Sequence, residues 1–263
     1  MKKNKLAPAT SIGIVGGMGP YTGVDLAAKL LHESLGTKDQ HHLPVLLASF
    51  PGLIPDRGTF VLGRESDNPA DPLSEVIRFL ERSGADVVGI PCVTAHCNPI
   101  MDRVLELLDQ ARSSVLLLNL IDEVVRHIQD ATPDVRRVGA LSTAASFEQR
   151  VFGEELERAG FEVVQQGAGI QEQLVNRAIF DESFGIKSNA SPVSDKARKL
   201  VLEAVVHLRE RGAEAVILGC TELPLAVSES WVEGVHCIDP TRVLARALIR
   251  EFAPDRLKPL KST

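Results

Sequence analysis

Asp86-Val87-Val88-Gly89-Ile90-Pro91-Cys92-Val93-Thr94-Ala95-His96 and Ala215-Val216-Ile217-Leu218-Gly219-Cys220-Thr221-Glu222-Leu223 are built alike. Each opens on a short apolar run, which reads as a strand buried on both faces. Each then places a cysteine, with a threonine one or two residues on, where strand gives way to helix. In open parallel sheets, ligands bind in the crevice beyond the carboxyl ends of the strands. Two thiols at two such ends can face one another across a cleft, a layout suited to moving a proton between two faces of one carbon.

Outward from these segments, short apolar runs alternate with helical patterns, the signature of a parallel α/β sheet. The first half predicts strands at 11–16, 44–49, 86–90 and 115–118. Its helices fall at 21–35, 70–83 and 96–110, and another lies near 120–130. The second half predicts strands at 137–142, 161–165, 214–218 and 235–238. Its helices fall at 146–160, 170–182, 193–211 and 240–252, with a short one after Cys220. Ser188-Asn189-Ala190-Ser191-Pro192 reads as loop. Gly16 lies about as far before Cys92 as Thr143 lies before Cys220, as in a duplicated lobe. The expectation is an α/β protein of two pseudo-symmetric lobes, each a parallel sheet flanked by helices, with the active-site cleft between them. Residues 1–118 with 239–263 would form one lobe and 119–238 the other. Pattern alone leaves the last helix free to pack on either.

At 263 residues the chain can bury a real core. Hydrophobic content of 44% and charged content of 24% are those of an ordinary globular protein. A formal charge of −6 with no basic stripe argues against nucleic acid and anionic membrane as partners. No apolar run approaches a membrane span. Met1-Lys2-Lys3-Asn4-Lys5 is basic but lacks the apolar segment of a secretory signal, so a cytoplasmic protein is expected. In that setting Cys92, Cys97, Cys220 and Cys237 point to catalytic or buried thiols rather than bridges. Cys97 and Cys237 read as small buried hydrophobes.

Gly13-Ile14-Val15-Gly16-Gly17-Met18-Gly19 joins a strand to a helix, but its spacing is not that of a dinucleotide fingerprint. The next strand ends in Ala48-Ser49-Phe50-Pro51, with no acid to hold a ribose. Such a turn can instead bring Met18 and Gly19 to a small carboxylate at a helix start, or bind nothing at all. Arg57, in Ile54-Pro55-Asp56-Arg57, is placed at the same sheet edge to clamp a carboxylate, or to sit solvated. Cys92, His96 and Cys97 lack zinc-ligand spacing, and no metal is expected. His96 is placed to cap a helix, orient the thiol or reach the cleft. Glu222 is placed to hold or accept a proton beside Cys220.

Taken together, these segments resemble the aspartate/glutamate racemase family, the cofactor-independent group that uses two cysteines. The matching elements are Gly13 to Pro20, Ile54 to Arg57, Pro91 to His96, Leu141-Ser142-Thr143, and Gly219 to Pro224, in the family's order across nearly the whole chain. The resemblance is to the aspartate racemase type, because Glu222 stands where glutamate racemases usually carry histidine. It implies two catalytic thiols, Cys92 and Cys220, no cofactor and no metal. It also implies carboxylate-binding roles for Arg57, Thr94, Thr143 and Thr221. Ser146 falls where members often have another threonine, and Lys187 matches a lysine proposed to bind substrate in some. A homodimer and a small dicarboxylate or acidic amino acid as ligand are implied as well. Val93 departs from the family pattern, which carries a substrate-contacting asparagine there.

Inverting a stereocentre beside a carboxylate needs an acid–base group on each face. General acid–base catalysis supplies about 10²–10⁴-fold. The remainder must come from preorganised donors to the charge that develops. The expected activity is cofactor-independent racemisation of an acidic amino acid, aspartate first. Glutamate, lyase or cis–trans isomerase chemistry on a dicarboxylate such as maleate, and ligand binding without turnover are the alternatives.

Overall fold

A computed structural model describes residues 10–260. The basic stretch at 1–5 lies outside the described residues, as do the last three of the chain. The described strands are β1 (Ser11–Gly16), β2 (Val45–Ser49), β3 (Ala85–Gly89), β4 (Leu116–Leu117), β5 (Arg137–Leu141), β6 (Glu162–Val164), β7 (Ala215–Leu218), β8 (Trp231–Val232) and β9 (Val235–Ile238). One sheet runs β2-β1-β3-β4 and the other β6-β5-β7-β9-β8. The first is all parallel, and the first four strands of the second repeat its order and direction. β3 and β7 therefore occupy equivalent places, and so do the cysteines that follow them.

The central strands β1, β3 and β7 are mostly apolar because both of their faces are covered. Ile12 and Ile14 point into a central core while Val15 points to an outer one, and Val87 and Val88 divide in the same way. In the second sheet Ala215 and Ile217 face the centre and Val216 and Leu218 face outward. The central core is common to both sheets. Into it fits helix Pro240–Phe252, which packs on helix Pro20–Glu33, on β3 and on helix Leu120–Ala131. Each fully buried aliphatic side chain contributes about 1.5–3 kcal/mol, so this shared layer is the main bond between the lobes.

Three charged residues pin that helix. Arg242 and Arg246 donate to the buried Glu33 at 2.7 and 2.6 Å. Arg250 grips the buried Glu123 with two bonds of 2.9 Å. The last helix thus ties together a helix of the first lobe and the helix that leads into the second.

Several sequence expectations need amendment. The second sheet is not purely parallel, because the two-residue β8 pairs antiparallel with β9. The span expected as one helix at 146–160 is two, Ala144–Glu148 and Val151–Arg158, broken where Arg150 takes a left-handed φ of 49°. Cys97 is not inside a helix. It precedes helix Asn98–Gln110, separated from Cys92 by a single 3₁₀ turn, Val93–His96. Arg57 opens a short helix that the sequence reading does not include, Arg57–Val61. Asp56 caps that helix by accepting from the Thr59 N–H at 2.8 Å. Among the described residues no helix is long and apolar enough to cross a membrane.

Candidate active site

A cleft of about 650 Å³ opens at the carboxyl ends of β1, β3, β5 and β7. Met18, Arg57, Cys92, Thr94, Thr143, Lys187, Cys220, Thr221 and Glu222 all line it, so segments far apart in the chain meet there. Cys92 leaves β3 in extended conformation (φ −153°) and is held by its N–H bonding to the Ile90 carbonyl at 2.8 Å. Cys220 leaves β7 through Gly219, where a Cβ would lie 2.8 Å from Phe152 and 3.0 Å from the Leu141 carbonyl. Only glycine lets that strand end pass so close to its neighbours.

Three hydroxyls bridge the lobes beside the first thiol. Thr94 bonds to Ser146 at 2.9 Å and to Thr143 at 3.2 Å, and Thr143 bonds to Ser146 at 3.2 Å. Thr94 and Thr143 face the cleft, while Ser146 is buried behind them. Thr221 is engaged elsewhere: its hydroxyl donates to the Pro91 carbonyl at 2.9 Å. Arg57 donates through Nη1 to the Pro55 carbonyl at 3.1 Å, and its buried Nε has no protein partner.

Beside the second thiol is a chain of three charged or dissociable groups. The Cys220 Sγ donates to Glu222 Oε2 at 3.0 Å, and the other carboxylate oxygen accepts directly from Lys187 Nζ. Burial pushes the Cys220 thiol well above its usual value. The Glu222 carboxylate acts in the same direction and Lys187 against it. Cys220 is therefore a thiol in this state. Burial alone would pull the Lys187 ammonium down, but the Glu222 carboxylate beside it acts the other way, and the net shift is upward. Gly19 does not line the cleft. A Cβ there would lie 3.0 Å from Glu222 Oε1, so its part is to leave room for the carboxylate.

His96 is turned away from the cleft, next to a separate polar cavity of about 110 Å³. Its Nδ1 lies 2.9 Å from the Cys92 carbonyl. Desolvation lowers its pKa to about 4, so the ring is neutral, and a carbonyl can only accept. The proton is thus on Nδ1, and His96 steadies the backbone of Cys92 rather than touching a ligand. Burial pushes Cys97 and Cys237 up to about 12, in keeping with inert buried thiols. Among the described residues no group of three histidines, cysteines or carboxylates is placed to hold a metal.

The cleft also contains residues that the sequence did not single out: Thr59, Leu62 and Arg64 after Arg57, and Glu172, Asn176, Arg177 and Phe180 from the second lobe. These come from segments with no motif. The one available signal was position, since 57–64 follows the second strand at the edge already marked by Arg57.

Two equivalent strand ends thus each deliver a thiol to one pocket, amid the hydroxyls and cations of other segments. The pattern of the Asp/Glu/Hydantoin racemase family matches residues 15–248, and the chain belongs to that family. Its fold is similar to that of an aspartate racemase from Picrophilus torridus, with a TM-score of 0.76 and 26% identity, covering 94% of this chain and 96% of that one. An aspartate racemase homologue from Pyrococcus horikoshii OT3 is also similar, with a TM-score of 0.67 and 26% identity over 92% of this chain and 98% of that one. A glutamate racemase from Aquifex aeolicus strain VF5 is 24% identical over 176 residues, 66% of this chain. The chain spans 61% of the length of that relative.

Proposed function

We propose that the protein racemises an acidic amino acid, aspartate in the first place, without a cofactor, by a two-base mechanism. One observation carries the reading: Cys92 and Cys220 follow equivalent strands of two matched sheets and line one cleft. The thiolate of one cysteine takes the α-proton from one face, and the thiol of the other returns a proton to the opposite face. The electron pair left on Cα spreads onto the α-carboxylate, where donors that are already in place stabilise it most. Thr94 and Thr143, held by Ser146, and Arg57 with its unpartnered Nε are assigned to that carboxylate. Lys187 is assigned to the other carboxylate of the ligand. Thr221 and Gly19 hold the machinery rather than the ligand, and Met18 forms the apolar floor. The halves 10–118 with 239–260 and 119–238 are proposed to close on one another when the ligand binds, excluding water.

Aspartate is placed first because the two aspartate-type relatives are similar over nearly their whole length. Glutamate is the second reading, favoured by the Aquifex aeolicus relative. One methylene changes binding only slightly, so the fold does not separate them. Incubation in deuterium oxide tests the proposal. Solvent deuterium should enter Cα of both enantiomers of aspartate without added cofactor or metal. Failure to exchange either aspartate or glutamate overturns it. Serine in place of Cys92 or Cys220 should abolish interconversion.

A further inference from the structure

The two thiols of the cleft differ in their surroundings. Cys220 has a carboxylate in contact, Glu222, at 3.0 Å, and among the described residues no carboxylate is hydrogen-bonded to Cys92. That same carboxylate is bound through its other oxygen to Lys187, a partly exposed ammonium of the cleft. Glu222 is only 4% exposed, so its charge depends on that one cation for compensation. A ligand carboxylate that reaches Lys187 must therefore compete with Glu222 for it. Resting on the racemase reading above, we propose that Glu222 is the proton acceptor for Cys220, set free for that role when the ligand's carboxylate takes Lys187 from it.

The protons balance. With Lys187 drawn to the ligand, the buried carboxylate has lost its counter-ion, and taking a proton becomes the way to relieve it. The Cys220 S–H bond breaks and the Glu222 Oε2–H bond forms. The sulfur then takes the α-proton: the Cα–H bond breaks, a new S–H bond forms, and the electron pair stays on Cα. On the opposite face the Cys92 S–H bond breaks and Cα–H forms. When the product leaves, Lys187 pairs again with Glu222, which gives its proton to solvent, while the Cys92 thiolate takes one back. The reverse direction retraces the same states. As the ligand draws Lys187 away, Cys92 gives its proton to solvent and Glu222 takes one. Cys92 then takes the α-proton, Cys220 gives its own to Cα, and Glu222 restores a proton to the Cys220 sulfur.

Gly19 bears on the same step. Its missing side chain leaves the space in which the Glu222 carboxylate sits, 3.0 Å from where a Cβ would be. The helix start is thus shaped around the acceptor and not around the ligand.

The test separates the two faces of Cα. In a Cys92→Ser background only Cys220 remains to exchange the α-proton, and in a Cys220→Ser background only Cys92 remains. Each should exchange one enantiomer of aspartate with deuterium oxide, and if neither does, the two-base reading itself fails. Given that exchange, adding Glu222→Gln should slow it at least a hundredfold on the Cys220 face and less than tenfold on the Cys92 face. Equal losses on both faces, or no loss on the Cys220 face, overturn the role of Glu222. A second measurement needs no turnover: succinate, which cannot racemise, should bind the Glu222→Gln protein roughly tenfold tighter than the wild type, because Lys187 is no longer occupied. Unchanged or weaker succinate binding overturns the competition for Lys187, and a far-ultraviolet spectrum matching the wild type's shows that the variant is folded.

Discussion

The Thr221 hydroxyl donates to the Pro91 carbonyl at 2.9 Å, joining the residue after one cysteine to the residue before the other. The Thr22 hydroxyl, in the helix that follows the glycine-rich turn, lies 3.1 Å from the same carbonyl and shares its one proton between it and the Gly19 carbonyl at 2.9 Å. Three separate segments of the chain thereby meet at one oxygen.

Thr221→Val should therefore disturb chemistry more than stability. Pro91 keeps its share of the Thr22 hydroxyl, so the lost bond should cost about 1 kcal/mol. The segments that carry the two thiols lose this bond between them, and misplacement by about 1 Å is worth about 10²-fold in rate. Deuterium exchange should fall at least tenfold while the melting temperature drops by only a few degrees. Activity near that of the wild type would mean that the bond is incidental.

Gly19→Ala should act through a different residue. The added methyl would press on Glu222 Oε1 at 3.0 Å and approach Lys187 Nζ at 3.8 Å. Because Glu222 is buried and held on both sides, it can give way only by losing Lys187 or Cys220. Exchange should fall, chiefly on the Cys220 face of Cα, with little effect on unfolding by urea. A loss confined to stability would show that the turn, not the carboxylate, requires the glycine.

Much of this arrangement was legible in the chain, for identifiable reasons. β9 and helix Pro240–Phe252 fall where the sequence places them, since one is a compact apolar run and the other opens on Asp239-Pro240. Asp239 caps that helix by accepting from the Thr241 N–H at 2.9 Å. Both cysteine segments end their strands as expected. The features that escaped carry no local signal. β8 is two residues long and exists only because β9 lies beside it. Arg150 breaks a helical pattern with a left-handed backbone and neither glycine nor proline to mark it. Arg177 and Phe180 reach the cleft from a segment whose helical period describes its buried face and not its function. The places of Thr221, Gly19 and His96 along the strand ends are legible in the sequence, and the atoms they meet, the Pro91 carbonyl, the Glu222 carboxylate and the Cys92 carbonyl, are not. Local pattern fixes where a residue lies, and tertiary packing decides what its side chain meets.

The tie between the lobes makes a prediction away from the cleft. Glu123 is 6% exposed and accepts two bonds from Arg250 and one, at 3.2 Å, from Arg126. Glu123→Ala removes both of those bonds from the partly exposed Arg250, leaving it only its neighbour Glu251 at 2.8 Å, at a cost of about 2 kcal/mol. Urea unfolding should show a lower midpoint with an unchanged slope. A changed slope would mean that the lobes no longer unfold together.

His96 sets the last prediction, on pH. Its pKa is about 4 in the folded chain, against an ordinary value of 6.5, because burial disfavours the charged ring. Between those values the unfolded chain binds a proton at His96 that the folded chain does not. Stability from this group is thus fully present above about pH 6.5 and is lost as pH falls towards about 4. The loss from His96 is at most about 3 kcal/mol. His127, also lowered to about 4 by burial first and by His236, Arg246 and Arg242 next, acts in the same direction. Urea unfolding of the wild type and of His96→Asn, compared at neutral pH and near pH 5, reads the effect. The wild type should lose more stability on acidification than the variant. The variant is the less stable at neutral pH, since an asparagine side chain cannot reproduce both the ring packing and the bond to Cys92. Parallel losses in the two proteins would show that His96 is protonated in the folded state, and the assignment of its proton to Nδ1 alone would fall with it.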